Sequence, residues 1–157
     1  MDEVDLAILR ELQEDGRLSL AELGGRVGLT AAPVQRRLRS LERDGWVTRY
    51  VALVDPQLAH RTFEVFLEVL LQTESGGAGQ LFEDAVREIP DVVECHRVTG
   101  TSHYLLKVVT RDAASFDRLY SQRIVGLPGL LRTSRRVSLS RVKHTTALPL
   151  PRLVRDL

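Results

Sequence analysis

Residues 19–45 read SLAELGGRVGLTAAPVQRRLRSLERDG, and the punctuation of this stretch decides the first part of the fold. Ser19 and Glu22 have the spacing of a capping box, in which each side chain satisfies the other's orphan amide at a helix start. Leu20, Leu23 and Val27 follow as one apolar stripe, and Gly28 breaks the helix after barely two turns. Thr30 can cap a second helix over 31–44, where Pro33 is tolerated because first-turn amides have no helical partner. Val34, Leu38 and Leu41 share the inner face of that helix. At about 100° per residue, Ala32, Arg36, Arg39 and Arg43 fall on the opposite side, with Gln35 at its edge. Gly45 supplies the stop.

Upstream, Val4, Ile8, Leu9 and Leu12 predict a helix over 3–15 that Asp2 caps and Gly16 ends. Two short helices around a glycine turn, the second carrying arginines outward, are what a helix-turn-helix requires. The charge would meet phosphates, while Gln35 and Arg36 are long enough to reach base edges in a major groove. An arginine-bearing outer face is also the ordinary solvated surface of a helical bundle. Residues 1–50 hold 8 arginines against 9 acids, so the positive signal is confined to 36–49, with five arginines against Glu42 and Asp44. On pattern alone both readings stand.

The totals set bounds without choosing. Of 157 residues, 43% are hydrophobic and 27% charged, the balance of a globular protein, and the net charge is +1. No stretch approaches the ~18 apolar residues of a membrane helix, and the acidic, amphipathic N-terminus does not read as a secretory signal. Cys95 is the only cysteine, which excludes an internal disulfide and suits a reducing cytoplasm. Lys107 and Lys143 are the only lysines, so phosphate contacts would fall to arginine.

After Gly45, WVTRYVALVD reads as a strand leaving the helical unit, closed by Asp55-Pro56, with a hinge over 51–61. TFEVFLEVLLQT (62–73) places Phe63, Val65, Leu67, Val69 and Leu71 on one face and Glu64, Phe66, Glu68 and Leu70 on the other. Ser75–Gly79 predicts a flexible turn, and 80–89 a helix through Leu81, Phe82, Ala85 and Ile89. Residues 92–100 and 102–110 read as a hairpin, 112–125 as a second helix, and 130–143 as a long last strand. The order β-α-β-β-α-β predicts an α+β chain. A winged-type helix-turn-helix over 1–50 is followed by a ferredoxin-like domain over 62–143 and a tail over 144–157. Both helices cover one face of the sheet, so the bare face is expected to pair with a second copy.

These elements carry a resemblance. Asp2-x-x-Asp5-x-x-Ile8-Leu9, Gly16-Arg17-Leu18-Ser19, Leu23-x-x-x-Val27-Gly28-Leu29-Thr30 and Arg37-x-x-x-Leu41-Glu42-x-x-Gly45 are similar to the Lrp/AsnC family. Glu94-Cys95-His96-x-Val98-Thr99-Gly100, Tyr104-Leu105-Leu106-Lys107 and Leu127-Pro128-Gly129 continue the likeness in order across almost the whole chain. The resemblance implies a bacterial transcription regulator that binds double-stranded DNA through the helix over 31–44. Thr30, Ala32, Gln35, Arg36, Arg37, Arg39 and Arg43 would then lie at the DNA. It implies homodimers that often stack into octamers, with no cofactor and no membrane. It also implies an amino-acid effector held at the loop over 98–104 and the last strand, by Val98, Gly100, Thr101, Ser102, His103, Tyr104, Thr133 and Arg135.

The chain departs from the family where the effector would bind. The family loop is often Gly-Asp-Tyr-Asp-Tyr-like, and here it is Gly100-Thr101-Ser102-His103-Tyr104, with both acids gone. Arg135 stands where threonine is common. An ammonium group prefers a charged acceptor, whereas Arg135 attracts a carboxylate, so an acidic or larger metabolite is the expectation. A loop with no ligand is the alternative. His60, His96, His103 and His144 are scattered without metal spacing. His103 sits in the loop, where imidazole chemistry near neutrality is at hand. His96 reads as a packed sheet residue, and Cys95 as a small buried hydrophobe rather than a redox sensor. Some relatives of the same two-domain look are siroheme decarboxylases, and His103 with Arg135 keeps that class open. The outward arginines and the capping box favour the DNA reading. An effector-independent architectural protein and a purely structural assembly are further alternatives.

Overall fold

Helix start signals are obeyed on the first two helices of the N-terminal unit. In the computed structural model, which describes residues 1–73 and 77–151, α1 spans Glu3–Glu14, α2 Leu20–Val27 and α3 Ala31–Arg43. Asp2 caps α1 by accepting from the Asp5 N–H (2.9 Å), and Asp5 reciprocates, accepting from the Asp2 N–H (2.8 Å). The Ser19–Glu22 box forms on α2, and Gly28 closes that helix at φ 71. Thr30 holds the extended N-cap conformation of α3 but makes no side-chain cap bond. Pro33 occupies the third helical position and has no N–H to offer it. Ile8, Leu9, Leu23, Val34 and Leu41 form the core, with Leu38 and Leu150 packed against it.

The sheet of the second unit is organised by β1, Phe63–Leu71, flanked by β3 (Tyr104–Thr110) and β4 (Leu130–Val137). With β2 (Val92–Arg97) on the far side of β3 the order is β2-β3-β1-β4, antiparallel throughout. Val65, Leu67 and Val69 are fully buried under α4 (Ala78–Arg87) and α5 (Ala113–Leu119), against Phe82 and Phe116. Residues paired in register share a face, so Glu64, Phe66, Glu68 and Leu70 lie on the open side with Leu105, Lys107 and Val109.

Several expectations need correction. No strand forms over 46–55, because this extended, exposed run has no neighbouring strand among the described residues. Trp46 and Val47 instead donate to the Leu41 carbonyl. The last strand ends at Val137 rather than 143, although the Ser138 N–H still donates to the Glu64 carbonyl (2.9 Å). α4 begins at Ala78, so Ala78 and Gly79 are helical, while Ser75 and Gly76 of the predicted turn lie outside the described residues. That phase leaves Leu81 62% exposed. The second predicted helix changes at Tyr120–Ile124 into a π-helical turn. Cys95 and His96 are exposed, not packed, because β2 is an edge strand.

By internal contacts the chain divides into Met1–Leu53 with Lys143–Leu157, and Val54–Val142. Residues 144–151 of the predicted tail, together with Lys143, thus belong to the helical unit, and 152–157 lie outside the described residues.

The open sheet face carries an ion-pair network. Lys107 lies 3.5 Å from Glu64 and 3.1 Å from Glu94, and Arg141 lies 2.7 Å from Glu64. Burial pushes the Glu64 carboxyl up, but Arg141 and Lys107 more than offset it and hold it below its ordinary value. His96 and Lys107 hold Glu94 down in the same way. A carboxylate with a depressed folded-state pKa stabilises the fold above its unfolded value and loses that contribution as pH falls. Thermal stability of the sheet unit should therefore decline as pH drops below about 4.3, the unfolded glutamate value, and Glu64→Gln should flatten that decline. Melting curves across this range check it.

Candidate DNA-binding surface and effector loop

The turn between α2 and α3 is set by one close approach. A Cβ on Gly24 would lie 2.6 Å from the Leu29 carbonyl oxygen, a backbone atom that cannot step aside. The turn is also tied the other way, since the Gly24 carbonyl accepts from the N–H groups of both Gly28 and Leu29. Gly25, one position on, would meet nothing within 4 Å. Nothing in the sequence spacing separates these two glycines.

Of the residues expected at DNA, Thr30, Ala32, Gln35, Arg36, Arg39 and Arg43 are exposed. Arg36 and Arg39 have no ion-pair partner among the described residues, while Arg43 donates to Asp44 (3.1 Å) and Ser40 (2.8 Å). Arg37 is turned the other way. It is half-buried, and its Nη1 donates at 2.8 Å to both Asp2 and Asp5. Its role is to fasten α3 to the start of α1, so it leaves the set facing outward. Asp2 is held below its ordinary value chiefly by the Asp5 N–H and also by Arg37.

The loop over 98–103, expected from sequence to hold an effector, hangs from the end of β1. His103 donates its backbone N–H to the Val69 carbonyl (2.8 Å), and its ring Nδ1 accepts from the Leu71 N–H (3.1 Å). The neutral ring therefore carries its proton on Nε2. The Val98 N–H donates to the His103 carbonyl (2.9 Å), and Gly100 turns at φ 123, which favours glycine. Thr101 is exposed, and Val98 and Ser102 are half-buried. Across β1, Thr133 pairs with Val69 and Arg135 with Leu67. The Thr133 hydroxyl is 2.7 Å from the Tyr120 hydroxyl, and the Arg135 guanidinium lies 4.1 Å from the centre of the Tyr120 ring. The π-helical turn places Tyr120 there. The sequence marks Tyr120 only as part of the helix predicted over 112–125 and gives no signal for this placement.

Tyr104 does not stand open in the loop. It is buried against Phe82 and donates to Glu83 (2.9 Å), and burial with that carboxylate pushes its hydroxyl pKa up to about 12. Its hydroxyl end borders a cavity of about 400 Å³ that Glu83, Val86, Arg87, Cys95 and Arg97 also line. Burial pushes the Cys95 thiol up, with Glu83 acting in the same sense, which disfavours the reactive thiolate. Among the described residues no group of three or more His, Cys, Asp or Glu could hold a metal, and no helix is long and apolar enough to cross a membrane.

Residues 1–42 match the AsnC-type helix-turn-helix domain, and residues 64–148 match the Lrp/AsnC ligand binding domain. The chain belongs to the Lrp/AsnC family. It is 36% identical over 148 residues to the leucine-responsive regulatory proteins of Klebsiella pneumoniae and Escherichia coli K12, covering 94% of this chain and 90% of each relative. The fold superposes on a transcriptional regulator of Neisseria meningitidis in complex with L-methionine, with TM-score 0.91 and 34% identity over 95% of this chain and 96% of that one. An AsnC family regulator of Agrobacterium tumefaciens gives TM-score 0.90 and 38% identity, over 95% and 97%. The chain is a transcription regulator with a helix-turn-helix domain and an effector-binding domain, in a family of regulators rather than enzymes. The decarboxylase alternative is not favoured.

Substitutions in the turn test its geometry directly. Gly24→Ala should destabilise the helical unit by roughly 1–3 kcal/mol through forced displacement of backbone, and DNA binding should fall with it. Gly25→Ala should be neutral or stabilising by up to about 1 kcal/mol. Chemical denaturation of the two variants side by side checks both.

Proposed function

We propose that α3 is the recognition helix and that its exposed residues divide the work. Gln35 and Arg36 read base edges in the major groove, while Arg39 and Arg43 meet phosphates, with Thr30 and Ala32 at the leading end. The observation that carries this is the contrast between neighbours. Arg37 is fastened inward by two aspartates, whereas Arg36 and Arg39 stand exposed without an ion-pair partner among the described residues. A folded unit has no internal use for those two charges. The regulator works in the cytoplasm as a homodimer, joined across the open sheet face, where Phe66, Leu70, Leu105 and Val109 sit among the charged pairs. Two recognition helices then address half-sites about one helical turn apart or a multiple of it.

Arg36→Ala should cost about 1–3 kcal/mol on the preferred sequence and relax base preference, whereas Arg39→Ala should weaken all sequences alike and lower the salt slope by about one. Competition binding at several salt concentrations separates the two. Wild-type binding by both variants would refute the assignment of α3.

The effector reading follows from charge. The loop from Val98 to His103 contains no carboxylate, so nothing there offers an ammonium group a charged acceptor. Arg135, over the Tyr120 ring, has no ion-pair partner among the described residues, and Thr133 lies on the same face. Loop and strand flank β1 on opposite sides, which suits a site completed between copies. An acidic metabolite is the effector class this favours, in contrast to the neutral methionine in the Neisseria complex. Calorimetry with a small dicarboxylate that carries no ammonium group, such as succinate or 2-oxoglutarate, should show binding that Arg135→Ala abolishes. Tight binding of leucine, asparagine or methionine would sink the assignment.

A further inference from the structure

The helix-turn-helix is not completed by the N-terminal residues alone. After β4 the chain crosses back, and residues from Lys143 onward belong to the helical unit. The Gln13 side chain treats Leu148 as a strand would treat its neighbour. Its Nε2 donates to the Leu148 carbonyl (3.2 Å), and the Leu148 N–H donates to its Oε1 (2.6 Å). Arg10 donates to the Pro151 carbonyl (3.3 Å). Between these anchors Leu150 packs against the core of Ile8, Leu9, Leu23, Val34 and Leu41. Pro149 and Pro151 flank Leu150, and their fixed φ lowers the entropy lost when the segment docks.

The polar anchors fall on α1, and Gln35, Arg36 and Arg39 of α3 remain exposed with the segment in place. The segment therefore leaves the outward face of α3 open and supports the bundle from another side. We propose that residues 143–151 are a brace whose docking on α1 holds the helix-turn-helix in its DNA-binding form. This rests on the reading of α3 as the recognition helix, and it makes the segment after the effector domain a structural part of the DNA-binding one.

The test uses the full chain, a variant truncated before Leu148, and two milder variants, Leu150→Asp and Gln13→Ala. Hydrogen exchange at the α1 amides from Leu6 to Gln13 reads docking without DNA. Loss of Leu150 burial should speed it by about tenfold or more while the β1 and β3 amides hold their protection. Affinity for a DNA fragment from the gene's own upstream region should fall in the same order, with Gln13→Ala least affected. Unchanged α1 exchange after truncation would overturn the brace. Higher DNA affinity after truncation would overturn it too, because that is the behaviour of a mask. A wild-type chain that binds no DNA would instead fail the recognition-helix reading, and the exchange measurement would still decide whether the segment docks.

Discussion

Everything in the sheet unit hangs on β1. It is an inner strand, hydrogen bonded to β3 on one side and β4 on the other, and its alternate residues Val65, Leu67 and Val69 are fully buried. A slip of one residue would send that row to the open face and bring Glu64 and Glu68 under the helices, so the register is strongly specified. With the register fixed, Val69 has the loop's His103 on one side and Thr133 on the other. The residues proposed to hold the effector are thus placed by the packing of a strand that contributes none of them.

The helical unit depends on a smaller device of the same kind. At Gly24 the α2–α3 turn approaches closer than any side chain permits, and α3 is set at its angle by that approach. Arg37 then fixes the start of α1 against α3. Its ion pairs are partly exposed, and such pairs are worth about 0–1 kcal/mol. Arg37 therefore acts as a register pin more than a source of stability. A rotation of about 100° separates it from Arg36, and that angle assigns one arginine to the interior and its neighbour to solvent.

Local rules made most of this legible in the sequence. The Ser19–Glu22 box, the Gly28 and Gly45 stops and the alternation in 62–73 each depend on a few adjacent residues, and each formed. What local rules could not supply was the identity of distant partners. The inward turn of Arg37 depends on Asp2 and Asp5, more than thirty residues away in sequence. The burial of Tyr104 depends on Phe82, and the exposure of Cys95 on β2 being an edge. The run WVTRYVALVD has strand composition but no strand to pair with among the described residues, which composition cannot reveal. For the tail, Leu148 and Leu150 alternating with Pro149 and Pro151 give no sign that Gln13 receives the Leu148 backbone. Thr30 failed as a cap for a local reason that was readable, since Pro33 removes the amide it would have bound.

The proposed role of the outward face of α3 is to bind DNA with sequence preference. The direct measurement is binding of the purified chain to genomic fragments, including its own upstream region, at two salt concentrations. The account predicts binding that weakens steeply with salt while keeping a clear preference for some fragments. Absence of binding at low salt would contradict it and leave the exposed arginines of α3 as ordinary solvated surface.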